Sequence, residues 1–250
     1  MNRLKIYALL LFFLCAPALG QTPTIAVATN MKPAIEEIYT AFRAGNKSEL
    51  KMVYGSSGNF FAQIRNGAPF SLFVSADEQY PLELASAGLT QGNGKTYAIG
   101  RLAMIVNKKI GFKPTIATPE LKKLFSEANK ISIAKPELAP YGKASIQFLT
   151  KVELLDQVRE KLVYAENISI ATVFVASGSA SVGFTALSLA MSPEAARTTN
   201  FVVIPDHLYE PIKQRMVLLK NAPPVVLEFY EFMQSSKAKE ILKANGYNSP

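Results

Sequence analysis

The chain has 250 residues, of which 49% are hydrophobic and 18% charged, and this length can bury a core in one or two domains. A single histidine, His207, is too few for a usual zinc site, and the single cysteine, Cys15, lies in a predicted signal peptide, so the mature chain has no Cys–His catalytic centre. The formal net charge of +8 comes from basic residues interleaved with acidic ones rather than from a basic stripe with aromatics, which argues against nucleic acid as a partner.

Residues 1–20 have the pattern of a secretory signal peptide. Arg3 and Lys5 form a basic start, an apolar stretch follows at 6–15, and small residues precede a cleavage point before Gln21. The apolar stretch is short for a membrane anchor. We therefore predict export to the periplasm, as a mature chain without cysteine whose formal charge falls from +8 to +6.

The first predicted elements of the mature chain are a short buried strand at 25–28 and an amphipathic helix at 31–42. Thr29 and Asn30 lie between them, and both are residue types that favour the N-cap position. The first turn of a helix has free N–H groups and the positive end of the helix dipole. A strand that leads directly into a helix through polar residues therefore predicts an anion site.

Three further segments have a similar arrangement, in which a turn residue precedes an apolar periodic stretch. These segments contain Ser57 at 54–58, Tyr141 at 140–142 and Ile168 at 166–168. Any one of them alone is explained by an ordinary helix cap. Because there are four such helix starts, we predict that they converge on one small anion.

Strands and helices alternate along the chain in two sets, which is typical of α/β lobes with helices on both faces of a mostly parallel sheet. An apolar run at 97–106 is predicted to carry the chain to a second lobe, and a strand at 215–219 to bring it back. The sequence thus predicts lobe 1 at 21–100 and 212–250, and lobe 2 at 101–211. The ligand is expected in the cleft between the lobes.

Four segments of the sequence resemble the periplasmic molybdate-binding proteins of molybdate ABC transporters, which belong to the type II periplasmic binding proteins. They are 28–42, 54–77, 133–149 and 165–188, and together with their spacing they span nearly the whole mature chain. The resemblance implies two hinged lobes, capture of molybdate or tungstate without a cofactor, and no enzymatic activity. It also implies delivery to the membrane permease of an ABC transporter and a monomeric receptor.

The resemblance implies five ligand-binding residues, namely Thr29, Asn30, Ser57, Tyr141 and Ile168. Ile168 would offer its backbone N–H, and the others hydroxyl or amide donors. Some members of the family have a binding tyrosine at the position that Ala186 occupies here, whereas others have one where Tyr141 lies. This sequence is similar to the second kind, so the Tyr141 hydroxyl is the expected donor.

A shell of donors without a carboxylate suits a tetrahedral dianion and rejects a protonated one, since a P–O–H group needs an acceptor. Sulfate or a small organic acid remains an alternative ligand, and an arginine in the cleft, such as Arg65 or Arg101, would favour the organic acid. A hydrolase with a Ser–Lys dyad is formally possible but has no spacing signal. A cation receptor would need clustered ligands that the sequence lacks.

Overall fold

The computed structural model describes residues 22–250, so the predicted signal peptide at 1–20 lies outside the described residues. In this part of the chain there are ten strands. They are β1 Thr24–Ala28, β2 Lys51–Gly55, β3 Phe70–Val74, β4 Lys95–Gly100, β5 Leu102–Asn107, β6 Ile131–Ala134, β7 Leu162–Ala165, β8 Val182–Ala186, β9 Thr199–Val203 and β10 Ile212–Leu218.

Eleven α-helices accompany these strands within residues 22–250. They are α1 Lys32–Arg43, α2 Ser57–Arg65, α3 Gln79–Ser86, α4 Thr118–Glu127, α5 Pro140–Lys151, α6 Leu155–Val158, α7 Ile168–Ala176, α8 Leu187–Ala190, α9 Pro193–Thr198, α10 Pro224–Phe232 and α11 Ser236–Ala244. Short 3-10 turns occur at Thr29–Met31, Lys108–Ile110, Arg159–Lys161 and Asp206–Leu208. None of the described helices is both long and apolar enough to cross a bilayer.

The strands form two five-stranded sheets, and the two-lobed α/β fold predicted from the sequence is confirmed. The first sheet has the order β2-β1-β3-β10-β4 and the second β7-β6-β8-β5-β9. We call the first sheet with its helices lobe 1 and the second with its helices lobe 2. Both sheets are mixed, because β10 runs antiparallel to β3 and β4, and β5 runs antiparallel to β8 and β9.

The chain crosses between the lobes twice. The apolar run predicted to make the first crossing is two strands, β4 in lobe 1 and β5 in lobe 2, separated by Arg101. The second crossing follows β9 and ends at β10, which lies between β3 and β4 in the first sheet. The two strands of lobe 1 that adjoin the crossings are β4 and β10. They pair with each other in one antiparallel ladder, which we call the hinge.

The structure contains elements that the sequence does not predict, among them strand β7 and the short helices α6, α8 and α9. Strand β7 is missed because its four apolar residues form a run too short to be assigned by periodicity, and Tyr164 within it is exposed. The apolar periodicity after Pro223 predicts one last helix that Gly246 ends, but the structure has two helices there, α10 and α11. They separate at Ser235, whose Oγ accepts a hydrogen bond from the N–H of Ala238 at 3.2 Å and so starts a new helix.

Candidate functional site

The four predicted helix starts meet at a small cavity between the lobes. The volume that the centre of a water-sized sphere can occupy in this cavity is about 10 Å³. Lobe 1 supplies the ends of β1 and β2, the start of α2 and Ala76 after β3, and lobe 2 supplies the starts of α5 and α7. The five predicted residues all line this cavity and all are buried: Thr29, Asn30, Ser57, Tyr141 and Ile168.

Backbone N–H groups at these helix starts have no protein acceptor. Ser57 and Ile168 are the first residues of α2 and α7, and Tyr141 is the second residue of α5. Asn30 lies in the 3-10 turn that precedes α1. An N–H in a first turn has no partner within its own helix. Within residues 22–250 these four N–H groups donate to no other protein group, so they can receive an anion.

Ser57 is not the cap of its helix. That position belongs to Ser56, whose Oγ accepts from the N–H of Asn59 at 3.3 Å. The Oγ of Ser57 instead accepts a hydrogen bond from the N–H of Ala76 at 2.9 Å. Its own O–H hydrogen has no acceptor among the described residues. The hydroxyl is therefore held in place while its hydrogen remains free for a ligand in the cavity.

Tyr141 has the same arrangement at its phenol. Its hydroxyl oxygen accepts a hydrogen bond from Nε2 of Gln214 at 3.0 Å, and its O–H hydrogen has no acceptor in the part of the chain that the structure describes. Burial raises the pKa of the Tyr141 phenol well above its ordinary value, so the group keeps its proton. Tyr141 and Ser57 are thus both oriented to donate, one from each lobe.

Asn30 contributes differently from the sequence prediction. Its side-chain Nδ2 already donates to Oε1 of Gln214 at 2.9 Å and to the Tyr247 hydroxyl at 3.0 Å. Its backbone oxygen accepts from Tyr247 and Ser188, both at 2.8 Å. Neither Asn30 nor Thr29 caps α1 by a side chain, although both are cap types. The donor that Asn30 retains for a ligand is its backbone N–H.

Among residues 22–250, no charged side chain lines this cavity. Arg65 lies over the ring of Phe61 at 5.6 Å, and Arg101 is 4.0 Å from Asp206, so neither arginine considered from the sequence faces it. Asp77 follows Ala76, which lines the cavity. Burial raises the pKa of Asp77 to about 6, against the lowering effect of hydrogen bonds from Tyr80 and Ser75. The cavity is therefore a neutral site lined mainly by donors, and Oδ1 of the lining residue Asn30 is a buried acceptor without a partner among the described residues.

Direct contacts between the lobes surround the cavity. The N–H of Gly58 donates to the backbone oxygen of Leu138 at 2.9 Å, and Nδ2 of Asn59 donates to Glu166 at 2.8 Å. The Tyr80 hydroxyl donates to the backbone oxygen of Glu137 at 2.9 Å. These bonds join α2 and α3 of lobe 1 to the loops before α5 and α7 of lobe 2. The two lobes are therefore in direct contact around the cavity.

A much larger cavity, of about 850 Å³, lies between α1, α7 and α9. Its walls include the charged residues Lys32, Glu36, Glu37, Glu194 and Lys237 and many apolar side chains. Of the four convergent helix starts, α1 reaches it through Lys32 and Pro33 and α7 through Ser169, whereas none of the described residues at the starts of α2 and α5 lines it. Size alone would favour this cavity, but the convergence of donors favours the smaller one.

Sequence reasoning missed three residues that organise the site: Gln214, Tyr247 and Ala76. Gln214 is fully buried on β10, and Tyr247 follows the last helix. The strand prediction began only at residue 215, and a lone glutamine or tyrosine carries no signal for a partner about 200 residues away. Ala76 acts through its backbone N–H, which side-chain patterns do not show.

Comparison with known proteins shows similarity along almost the whole described chain. A family model described as bacterial extracellular solute-binding protein matches residues 23–248. The molybdate-binding protein ModA of Azotobacter vinelandii is 34% identical over 226 residues, which cover 89% of this chain and 88% of that protein. ModA of Rhodobacter capsulatus is 32% identical over 237 residues, with coverage of 94% and 91%.

Among solved structures, the periplasmic molybdate-binding protein of Azotobacter vinelandii is similar with a TM-score of 0.81 at 33% identity. The match covers 91% of this chain and 99% of that chain. The resemblance stated from the sequence motifs is thereby confirmed.

Proposed function

The chain belongs to the bacterial extracellular solute-binding proteins, and we propose that it captures molybdate, and tungstate in the same way, for an ABC transporter. It is a binding protein rather than an enzyme. The relatives named for molybdate support this choice of ligand. The observation that carries it is the neutral cavity at which free N–H and O–H donors from both lobes meet.

The ligand would be held by hydrogen bonds alone. The donors are the backbone N–H groups of Asn30, Ser57, Tyr141 and Ile168, together with the side-chain hydroxyls of Thr29, Ser57 and Tyr141. A hydrogen bond to a charged group contributes about 1.5–3 kcal/mol. Seven such bonds are ample for micromolar affinity, which needs about −8 kcal/mol after the costs of ordering.

The same donor shell accounts for selectivity among tetrahedral anions. Hydrogen phosphate carries a P–O–H group that needs an acceptor, and no carboxylate lines the cavity. Sulfate matches the donor pattern but is smaller than molybdate, so its oxygens would not reach all donors at once. Tungstate is close to molybdate in size and charge. An organic acid would leave its carbon skeleton against polar donors, and no arginine faces the cavity to compensate.

Isothermal titration of the purified mature protein, residues 21–250, tests the proposal. We expect one-to-one binding of molybdate and tungstate with a micromolar or lower Kd. Sulfate should bind at least about 100-fold more weakly, and phosphate should show no binding. Binding of sulfate alone would retain the oxyanion site but replace the ligand. Absence of binding with all four anions would refute the anion site and favour an organic acid as the ligand.

The two oriented hydroxyls should each be needed for full affinity. We expect Ser57→Ala and Tyr141→Phe each to weaken molybdate binding about 10-fold, because each removes one hydrogen bond to a dianion. Thermal unfolding in the absence of ligand checks that both variants stay folded. Unchanged affinity in both variants would overturn the assignment of the site.

Closure of the lobes supplies the signal for delivery. A ligand held from both lobes stabilises the closed form only by its differential affinity for that form. The bonds from Gly58 and Asn59 to lobe 2 form in the same state as the ligand site. We propose that a membrane permease recognises this closed monomer in the periplasm and releases the anion when the lobes separate.

A further inference from the structure

A buried polar cluster at the hinge lies directly behind the anion cavity. Its members are Gln214, Tyr97, Asn30, Tyr141 and Tyr247, and each is at least nine-tenths buried. Gln214 is on β10, and Tyr97 is on the adjacent hinge strand β4. Only Asn30 and Tyr141 from this cluster also line the cavity. The cluster therefore connects the ligand site to the two strands of the hinge.

Gln214 is bonded to both lobes at once. Its Nε2 donates to the hydroxyl oxygen of Tyr141 in lobe 2 at 3.0 Å. Its Oε1 accepts from Nδ2 of Asn30 at 2.9 Å and from the Tyr97 hydroxyl at 2.8 Å, both in lobe 1. A single buried amide thus joins the two sides of the cleft.

The orientation of the Gln214 amide is fixed from the far end of the cluster. The hydroxyls of Tyr247 and Ser188 both donate toward the backbone oxygen of Asn30, so the Tyr247 oxygen accepts from Nδ2 of Asn30. This orients the Asn30 side chain, whose Nδ2 then also faces Oε1 of Gln214. An amide that presents its oxygen to Asn30 must present its nitrogen to Tyr141.

The direction of the Tyr141 hydroxyl hydrogen follows from this order. The phenol oxygen receives the Nε2 hydrogen of Gln214, so its own hydrogen must point elsewhere, and Tyr141 is one of the residues that line the cavity. We propose that Gln214 is a positioning residue that orients the Tyr141 O–H toward the bound anion and makes this donor conditional on closure. The inference rests on the proposed function, since it concerns the same anion.

Gly100 supplies an independent observation of the same geometry. It is the last residue of β4, opposite Ile212 on β10. A Cβ at this position would overlap the hydroxyl of Tyr141 and Nε2 of Gln214. The hinge strand thus has no side chain at the point where these two groups meet, and any larger residue would force them apart.

The variant Gln214→Leu removes the orienting donor and leaves the other hydrogen bonds of the cluster largely intact. The two other partners of Gln214 keep a bond each, since the Tyr97 hydroxyl also reaches the backbone oxygen of Ser75 at 2.8 Å and Nδ2 of Asn30 still reaches Tyr247. We expect about 10-fold weaker molybdate binding, no more than Tyr141→Phe itself, because Gln214 acts through Tyr141. Gly100→Ala should have the same effect without changing either side chain.

A double-mutant cycle by isothermal titration with molybdate is the test. We expect Gln214→Leu to cause no further loss in the Tyr141→Phe background. Near-ultraviolet difference spectra add a second readout, because the chain contains no tryptophan and its signal there comes mainly from tyrosine. Molybdate should shift the tyrosine absorption of the wild type, and this shift should be lost in Tyr141→Phe, Gln214→Leu and Gly100→Ala alike.

Gly45→Ala is the matched control for Gly100→Ala, since a Cβ at Gly45 meets nothing within 4 Å. Additive losses of affinity in the cycle, or a full spectral shift in Gln214→Leu, would overturn the positioning role. Absence of molybdate binding by the wild type would instead overturn the proposed function, and this inference with it. The two failures are therefore distinguishable in one series of titrations.

Discussion

Ser57→Asp is expected to weaken molybdate binding by about 1,000-fold or more, the largest effect of any single change considered. The substitution replaces a hydroxyl donor with a carboxylate at the wall of a cavity that contains no positive side chain. Juxtaposed like charges that are shielded from water cost several kcal/mol, and each 1.4 kcal/mol is a factor of ten in Kd. Isothermal titration at pH 8, where the carboxylate is ionised, measures the loss.

The chain provides a closely matched control in Ser236→Asp. Ser236 is the first residue of α11, as Ser57 is of α2, and in both cases the preceding serine caps the helix. Ser236 is exposed and far from the cavity lining. An aspartate in a first turn interacts favourably with the helix dipole, so neither variant should lose helix stability. Wild-type affinity in Ser57→Asp would refute the site, whereas equal losses in both variants would indicate a general charge effect.

Gly58→Ala should reduce molybdate affinity by about 100-fold because it destabilises the form in which the two lobes are in contact. A Cβ on Gly58 would lie 2.9 Å from Cα of Leu138 and 3.1 Å from its carbonyl oxygen, and both are backbone atoms of the opposite lobe. Overlap of this kind typically costs 1–3 kcal/mol. The open form avoids it, so the substitution acts on the closure equilibrium rather than on the contacts of the anion.

Two measurements separate this effect from simple destabilisation. The midpoint temperature of thermal unfolding without ligand should be unchanged or slightly higher than in the wild type. The reason is that alanine favours a helix more than glycine does by about 1 kcal/mol. Small-angle scattering should show the variant more open at low molybdate and closing only at higher concentration. The control variant Gly45→Ala should match the wild type in both thermal unfolding and small-angle scattering. A Gly58→Ala variant with unchanged Kd would show that the Gly58–Leu138 contact is not required for binding.

The fold and the four segments that line the cavity were accessible from the sequence because both depend on local patterns, whereas the choice of individual residues within those segments came from the family resemblance. A buried strand that passes through a polar turn into an amphipathic helix can be recognised within about 20 residues, and the arrangement recurs around Asn30, Ser57, Tyr141 and Ile168. Parallel strand order then places such turns at one edge of each sheet. Their convergence in one cavity follows from the same topology.

The roles of individual atoms could not be predicted in the same way. Asn30 is a good capping type, yet its side chain bonds to Gln214 and Tyr247 instead, which are 184 and 217 residues away. Ser56 and Ser57 have identical side chains, and only the position of Ala76 after β3 distinguishes the cap from the oriented hydroxyl. Such assignments depend on long-range packing, which one sequence does not specify.

The bond between Asn30 and Tyr247 also sets the order in which the site can be completed during biosynthesis. Asn30 is among the first residues of the described chain to be synthesised, and the partner that orients it comes 217 residues later. Strand β10, which carries Gln214, is likewise inserted between strands made much earlier. Contacts of such high sequence separation form late in folding. The buried cluster behind the cavity can therefore be completed only after almost the whole described chain has been synthesised.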